Sequence, residues 1–216
     1  MAAADKTEAA PVRRRDAERT RAAILHAATR EFSVHGFAGA RTEKIMARAK
    51  SNIRLLYHHF GSKKALYLAV IEQAYEDLRA REAALRFDLA DPAGSIEKLL
   101  RFTFGHFEKN PYFEGLLRAE NMMQGRFVRQ SKRVPEAAER LRATLAELIA
   151  AGEAQGQFRA GIDPVQLYVT ITALSRHHLA NADTLSALLT TDLRAADWRA
   201  ARLEHCVAVL RSYLRG

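Results

Sequence analysis

Apolar residues recur every three or four positions along almost the whole chain, and strict alternation is nearly absent. Ile24, Ala28 and Phe32 form one stripe, which predicts a helix from about Asp16 to Val34, ended by His35-Gly36. A short helix follows, from Thr42 as its cap to about Ala49, with Ile45, Met46 and Ala49 facing inward. Another begins three residues later at Asn52, a good N-cap, and runs to about His59. After Gly61, Ser62 caps a long helix that continues to about Phe87. Further helices are expected near 95–109, 111–124, 135–154, 164–180, 184–190 and 197–214. Proline punctuates this pattern at 11, 92, 111, 135 and 164. The best strand candidate, 165–172, alternates poorly and follows Asp163-Pro164, an N-cap with proline at the first helical position. The fold class is therefore all-α.

Two short helices separated by a three-residue turn read as a helix-turn-helix. Ile45, Met46 and Leu56 hold the pair together, which frees the outer face of residues 52–59 to enter a DNA major groove. From the flanks, the hydroxyls of Thr42, Ser51 and Tyr57 and the cations Lys44, Lys50 and Lys63 can reach phosphates.

Charge sharpens this picture. The chain of 216 residues carries a formal net charge of +9. Residues 1–64 hold 14 basic against 6 acidic residues, whereas 65–216 hold 20 against 19. A basic head on a nearly neutral body suits a polyanionic partner for the head and another task for the body. The single cysteine, Cys206, excludes a disulfide framework and a cysteine-built zinc site. The longest stretch free of Asp, Glu, Lys, Arg and His is Pro164–Ser175. That is shorter than the roughly 20 residues of a membrane span. With no apolar leader at the N-terminus, a cytoplasmic location is expected. His58-His59 and His177-His178 lack the carboxylate or cysteine companions of a metal site, so neither a metal nor a cofactor is expected.

Residues 42–66, TEKIMARAKSNIRLLYHHFGSKKAL, closely resemble the DNA-binding signature of the tetracycline-repressor (TetR/AcrR) family of bacterial transcriptional regulators. The matching positions are Thr42, Ile45-Met46, Ala49-Lys50-Ser51-Asn52, Tyr57, Phe60 and Ser62-Lys63, with Ala27-Ala28, Phe32 and Gly36-Phe37 upstream. One departure stands in the turn, where Lys50-Ser51 replaces the family's Gly-Val. If position 50 needs a left-handed backbone, lysine costs roughly 1 kcal/mol there. The resemblance implies base contacts from Asn52, Ile53, Arg54 and Leu55, and phosphate contacts from Thr42, Tyr57, His58, His59 and Lys63. Asn52 has an equal claim as a plain N-cap, and Leu55 as an inward packing residue. Arg13-Arg14-Arg15 read either as a minor-groove arm or as a solubilising tail.

The resemblance further implies three parts: a disordered basic arm over 1–14, a three-helix DNA-binding domain over 15–62, and a larger helical ligand-binding and dimerisation domain over 63–216. The segments NPYFEGLLRAENMMQGRF and HHLANADTLSALL are similar to the ligand-domain helices of one branch of the family. That branch implies a pocket lined by Phe102, His106, Tyr112, Phe113, Asn121, Met122 and Tyr168, and a small planar aromatic effector. It also implies a homodimer through residues 165–179 and 198–214, reading a palindromic double-stranded operator. The stripe Leu203, Val207, Leu210, Leu214 is expected to leave apolar surface on a monomer. The resulting expectation is a non-enzymatic, ligand-released repressor. The alternatives are a non-specific architectural DNA binder and, with no catalytic motif to support it, a helical enzyme.

Overall fold

A computed structural model describes residues 9–215, with side chains from Arg15 onward. Ten α-helices and one 3-10 turn make up its regular structure, and no strand occurs among the described residues. The helices are α1 (Ala9–Gly39), α2 (Thr42–Arg48), α3 (Ile53–Phe60), α4 (Lys63–Ala83) and α5 (Pro92–Lys109). They continue as α6 (Pro111–Met122), α7 (Arg133–Ala154), α8 (Pro164–Ala180), α9 (Ala182–Leu189) and α10 (Ala196–Arg215).

Local chemistry sets several of these ends. The Asn52, Asp91 and Asp163 side chains each accept a backbone N–H of the first turn, and Pro92 and Pro164 open α5 and α8. The Ser62 hydroxyl accepts from the Ala65 N–H at 3.0 Å and so caps α4. Gly36 interrupts α1 at φ 63°, ψ −176°, a region essentially confined to glycine, where the sequence places the helix end. Two expectations change. Thr42 is not the cap of α2: Arg41 precedes the helix, and the Thr42 hydroxyl donates instead to Glu43 Oε1 at 3.3 Å. Helix α1 also begins at Ala9, inside the arm assigned as disordered. Residues 1–8 and the side chains of Arg13 and Arg14 lie outside the described residues.

The chain forms two compact units. One unit comprises the chain up to Ala74 together with Gly115–Ser131; the other comprises Tyr75–Glu114 and the chain from Lys132 onward. Aromatic packing explains why 115–131 joins the head. Phe127 is 1% exposed, and its ring centroid lies 4.8 Å from Phe37 and 4.7 Å from Tyr67. Tyr67 in turn meets Phe32 edge-on at 4.9 Å. Pairs of this kind contribute roughly 0.5–1.5 kcal/mol each beyond the area they bury. Buried Glu120 locks the segment by accepting the N–H groups of Phe127 and Val128 at 2.6 and 3.0 Å. Burial, then the neighbouring Glu120 carboxylate, pushes the Tyr67 hydroxyl well above its usual range. Gly115 is required here, because a Cβ at that position would overlap the Ser33 carbonyl of α1.

The second unit is a helical body whose core joins Leu99 and Phe104 of α5, Leu148 of α7, Ile171 of α8 and Leu210 of α10. The C-terminal stripe belongs to this core, contrary to its expected exposure. Val207, Leu210 and Leu214 are buried and Leu203 is half-buried, because α10 packs along α5 and α8. Among the described residues, the large apolar side chains that α8 and α10 expose include Val165, Val169 and Val209.

Two histidines are enclosed in the body. His106 lies among the rings of Phe102, Phe107 and Phe113, and His178 stacks on Phe104 with centroids 4.8 Å apart. Burial lowers both to a pKa of about 4; Arg81 and Arg79 assist at His106, and Arg202 and Arg199 at His178. Both are therefore neutral in the folded chain at neutral pH, whereas unfolded imidazole protonates near its ordinary pKa of about 6.5. Below that value the unfolded state binds more protons, so stability is full above it and falls as pH drops toward the folded pKa. The melting temperature should decline between about pH 7 and about pH 5.5, a window in which ordinary carboxylates scarcely titrate. A flat profile across that window would contradict the neutral burial of these rings.

Candidate functional site

In the head, the outer face of α3 is open. Leu56 is fully buried and anchors the helix, while Ile53 is 40% and Tyr57 55% exposed. Asn52, Arg54 and His58 are also exposed, and Leu55 and His59 are half-buried. Asn52 Oδ1 accepts from the Leu55 N–H at 3.2 Å, so its oxygen serves as the cap and only its NH2 group remains for a partner. Among the described residues of α3, Arg54 is therefore the exposed side chain whose charge and planar fork suit bidentate pairing with guanine.

The turn before α3 is a Schellman closure. Ser51 N–H donates to Met46 O and Lys50 N–H to Ala47 O. Lys50 occupies the left-handed position at φ 48°, where glycine is the usual residue. Its ammonium is exposed beside the start of α3, and Lys44 is exposed on α2. Ser51 is half-buried, and its Oγ has no hydrogen-bond partner among the described residues.

Not every expected contact residue is free for DNA. Lys63 Nζ donates to Ala40 O at 2.6 Å and lies 5.1 Å from the Phe37 ring centroid, so it ties the start of α4 to the α1–α2 connection. The Thr42 hydroxyl is engaged with Glu43. His59 packs beside His58 and Arg21; burial and then those two charges lower its pKa. Its neighbour Phe60 carries the Arg21 guanidinium 5.0 Å from its ring centroid.

One residue of the head escaped the sequence reading. Glu31 is 3% exposed on α1. It accepts the Arg41 N–H at 3.3 Å, where α2 lacks a cap of its own, and its other oxygen lies 3.7 Å from Arg48 at the end of α2. A carboxylate beside the polar residues Thr29 and Arg30 reads as a solvated face; its contacts are nonlocal and leave no periodic trace.

Among the described residues, two cavities of the body share Arg79. The larger, of about 550 Å3, is lined by Arg79, Glu82, Phe87, Arg133 and Leu141 among others. The smaller, of about 290 Å3, is lined by Arg79, Pro135, Leu141, Leu145, Val165 and Tyr168. Of the seven residues expected to line a pocket, Tyr168 faces the smaller cavity. His106 and Phe113 are buried against one another at 5.1 Å, with Phe102 half-buried alongside His106. The remaining three lie at the surface. Tyr112 is 37% and Met122 82% exposed, and Asn121 is exposed too. Asn121 and Met122 also belong to the head unit, at the end of α6 where its last turn meets solvent. Arg79 and Glu82 were missed because the run LRAREAA reads as a charged outer face.

Comparison with known proteins agrees with this geometry. Residues 24–70 match the family model "Bacterial regulatory proteins, tetR family", and residues 92–210 match "Tetracyclin repressor-like, C-terminal domain". The chain is 38% identical over 197 residues to the HTH-type transcriptional repressor NicS of Pseudomonas putida, covering 89% of this chain and 93% of that one. It is 32% identical over 175 residues to the HTH-type transcriptional regulator RutR of Escherichia coli, covering 80% and 79%. A regulator structure from Streptomyces coelicolor, SCO4942, superposes with a TM-score of 0.68 at 24% identity, covering 90% of this chain and 98% of that one.

Two substitutions test the geometry of the head. Lys50→Gly should stabilise the chain by roughly 1 kcal/mol in urea unfolding, by relieving the left-handed lysine. It should also weaken DNA binding and reduce the salt slope by about one ion. Glu31→Ala removes a negative charge from the basic head, so bulk electrostatics alone would tighten binding to DNA. Its loss of the α2 clasp should instead weaken specific binding about tenfold or more, while Glu31→Gln keeps the Arg41 contact and most of the affinity. Tighter specific binding by Glu31→Ala would reverse that assignment.

Proposed function

This chain belongs to the tetracycline-repressor (TetR) family of bacterial regulatory proteins and is a DNA-binding transcriptional repressor. On that premise we propose that α3 reads an operator through Arg54, with Ile53 offering an apolar contact to a thymine methyl group. Lys44, Lys50 and Tyr57 contact phosphates from the flanks, and Asn52 is first a cap. Lys63 holds the start of α4 to the α1–α2 connection, so its effect on DNA is indirect, and Thr42 stays a phosphate contact at the start of α2.

One recognition helix reads few base pairs, so the proposed working form is a homodimer on a palindromic operator, with half-sites ~34–36 Å apart or a multiple of that. Exposed Val165 and Val169 on α8 and Val209 on α10 support pairing through these helices. In this reading a small-molecule effector enters the body beside Arg79 and favours a state whose heads no longer match the operator. Reversing occupancy from 99:1 to 1:99 requires a differential affinity of about 5.5 kcal/mol. Helices α4 and α6 each contribute residues to both compact units, which gives an effector in the body a covalent route to the head. The body is thus the ligand-binding and dimerisation part and the head the DNA-binding part. No described helix is long and apolar enough to cross a membrane.

The carrying observation is the exposed, capped α3 with Arg54 on its open face. Selection from a random duplex library should yield a palindromic site. Arg54→Ala should then lose about 1–3 kcal/mol of discrimination at one base of each half-site while retaining preference elsewhere. Unchanged preference at every position would remove Arg54 from base reading.

A further inference from the structure

Arg79 and Glu82 stand one helical turn apart on α4, with side chains only 10% and 3% exposed. Arg79 Nη1 donates to Glu82 Oε2, and Nη2 donates to the Tyr168 hydroxyl oxygen at 2.7 Å. The guanidinium is thereby neutralised inside the body. Two atoms remain unused: Arg79 Nε–H and Glu82 Oε1 are buried and have no hydrogen-bond partner among the described residues. Tyr168 accepts from Arg79 and still has its own O–H to donate. Arg79 lines both cavities, Glu82 the larger and Tyr168 the smaller. Close by, the walls turn apolar at Leu141, Leu145, Pro135 and Pro164.

We propose that this corner is the polar end of the effector site and takes an uncharged carboxamide carried on an apolar, ring-sized body. This inference rests on the effector reading above. An amide carbonyl accepts from Arg79 Nε–H and the Tyr168 O–H, while the amide N–H donates to Glu82 Oε1. Each otherwise orphaned group then gains a partner, and leaving such groups unpaired in the interior is costly. A carboxylate would satisfy the two donors but would set a second buried negative charge against Glu82, whose charge already balances Arg79. A hydrocarbon would satisfy none of them. The smaller cavity, of about 290 Å3, has room for a single ring.

The test is calorimetric titration of the full chain with benzamide and, separately, with sodium benzoate at neutral pH. Benzamide should bind at roughly millimolar affinity, as befits so small a probe, and about tenfold or more tighter than benzoate. Glu82→Gln leaves Arg79 uncompensated, so benzoate should become the preferred ligand. Tyr168→Phe keeps the ion pair and should weaken benzamide about tenfold, which preserves the test if Glu82→Gln fails to fold. Preference of the unaltered chain for benzoate, binding of neither compound, or unchanged benzamide affinity in Tyr168→Phe would each overturn the proposal. Operator binding by the same preparation separates two failures. A chain that binds its operator but neither compound refutes the ligand class alone; one that binds benzamide but no operator refutes the repressor reading.

Discussion

Everything the head does depends on burying the inner faces of two helices too short to stand alone. Helices α2 and α3 have 7 and 8 residues, whereas an isolated helix shorter than about 12–15 residues is marginal in water. Ile45, Met46 and Leu56 must therefore be held by a core larger than the motif. Phe32, Tyr67 and Phe127 supply it, and Phe127 reaches the head from a segment more than fifty residues beyond α4's start. The outer face of α3 is free to carry Ile53, Arg54 and Tyr57 because stability is provided elsewhere.

The body distributes its chemistry differently. Its core is ordinary aliphatic packing, but Arg79, Glu82, His106 and His178 are enclosed within it. Burial pushes the Glu82 carboxyl above its usual range, against the pull of Arg79. Exchange of this pair for well-packed apolar residues would be expected to cost nothing or even to stabilise the chain. The proposed effector would give the pair's unused donor and acceptor the partners that folding leaves them without.

Periodicity and caps made most of the fold legible. Asn52, Asp91-Pro92 and Asp163-Pro164 mark helix starts by local hydrogen bonding, and each marks one in the structure. The left-handed backbone at Lys50 answers the condition that the resemblance raised, where the family's glycine is replaced by lysine. What the sequence did not show was mostly nonlocal. Phe127 ends the segment whose resemblance assigns it to the ligand domain, and its contacts with Phe37 and Tyr67 join it to the head instead. Glu31 and the Arg79–Glu82 pair looked like surface charge, since burial by a distant element leaves no mark on local spacing. The stripe Val207, Leu210, Leu214 was assigned to an exposed face, although periodicity gives a face and not its partner.

The central claim is that the open face of α3 reads sequence and the surrounding cations supply only affinity. Fluorescence anisotropy of the full chain on the DNA upstream of its own gene, against a scrambled duplex of equal length across a salt series, tests it most directly. The account predicts a preference of ~10³-fold or more for the natural duplex, persisting as salt weakens binding to both. Equal affinity for the two duplexes, falling together with salt, would contradict it.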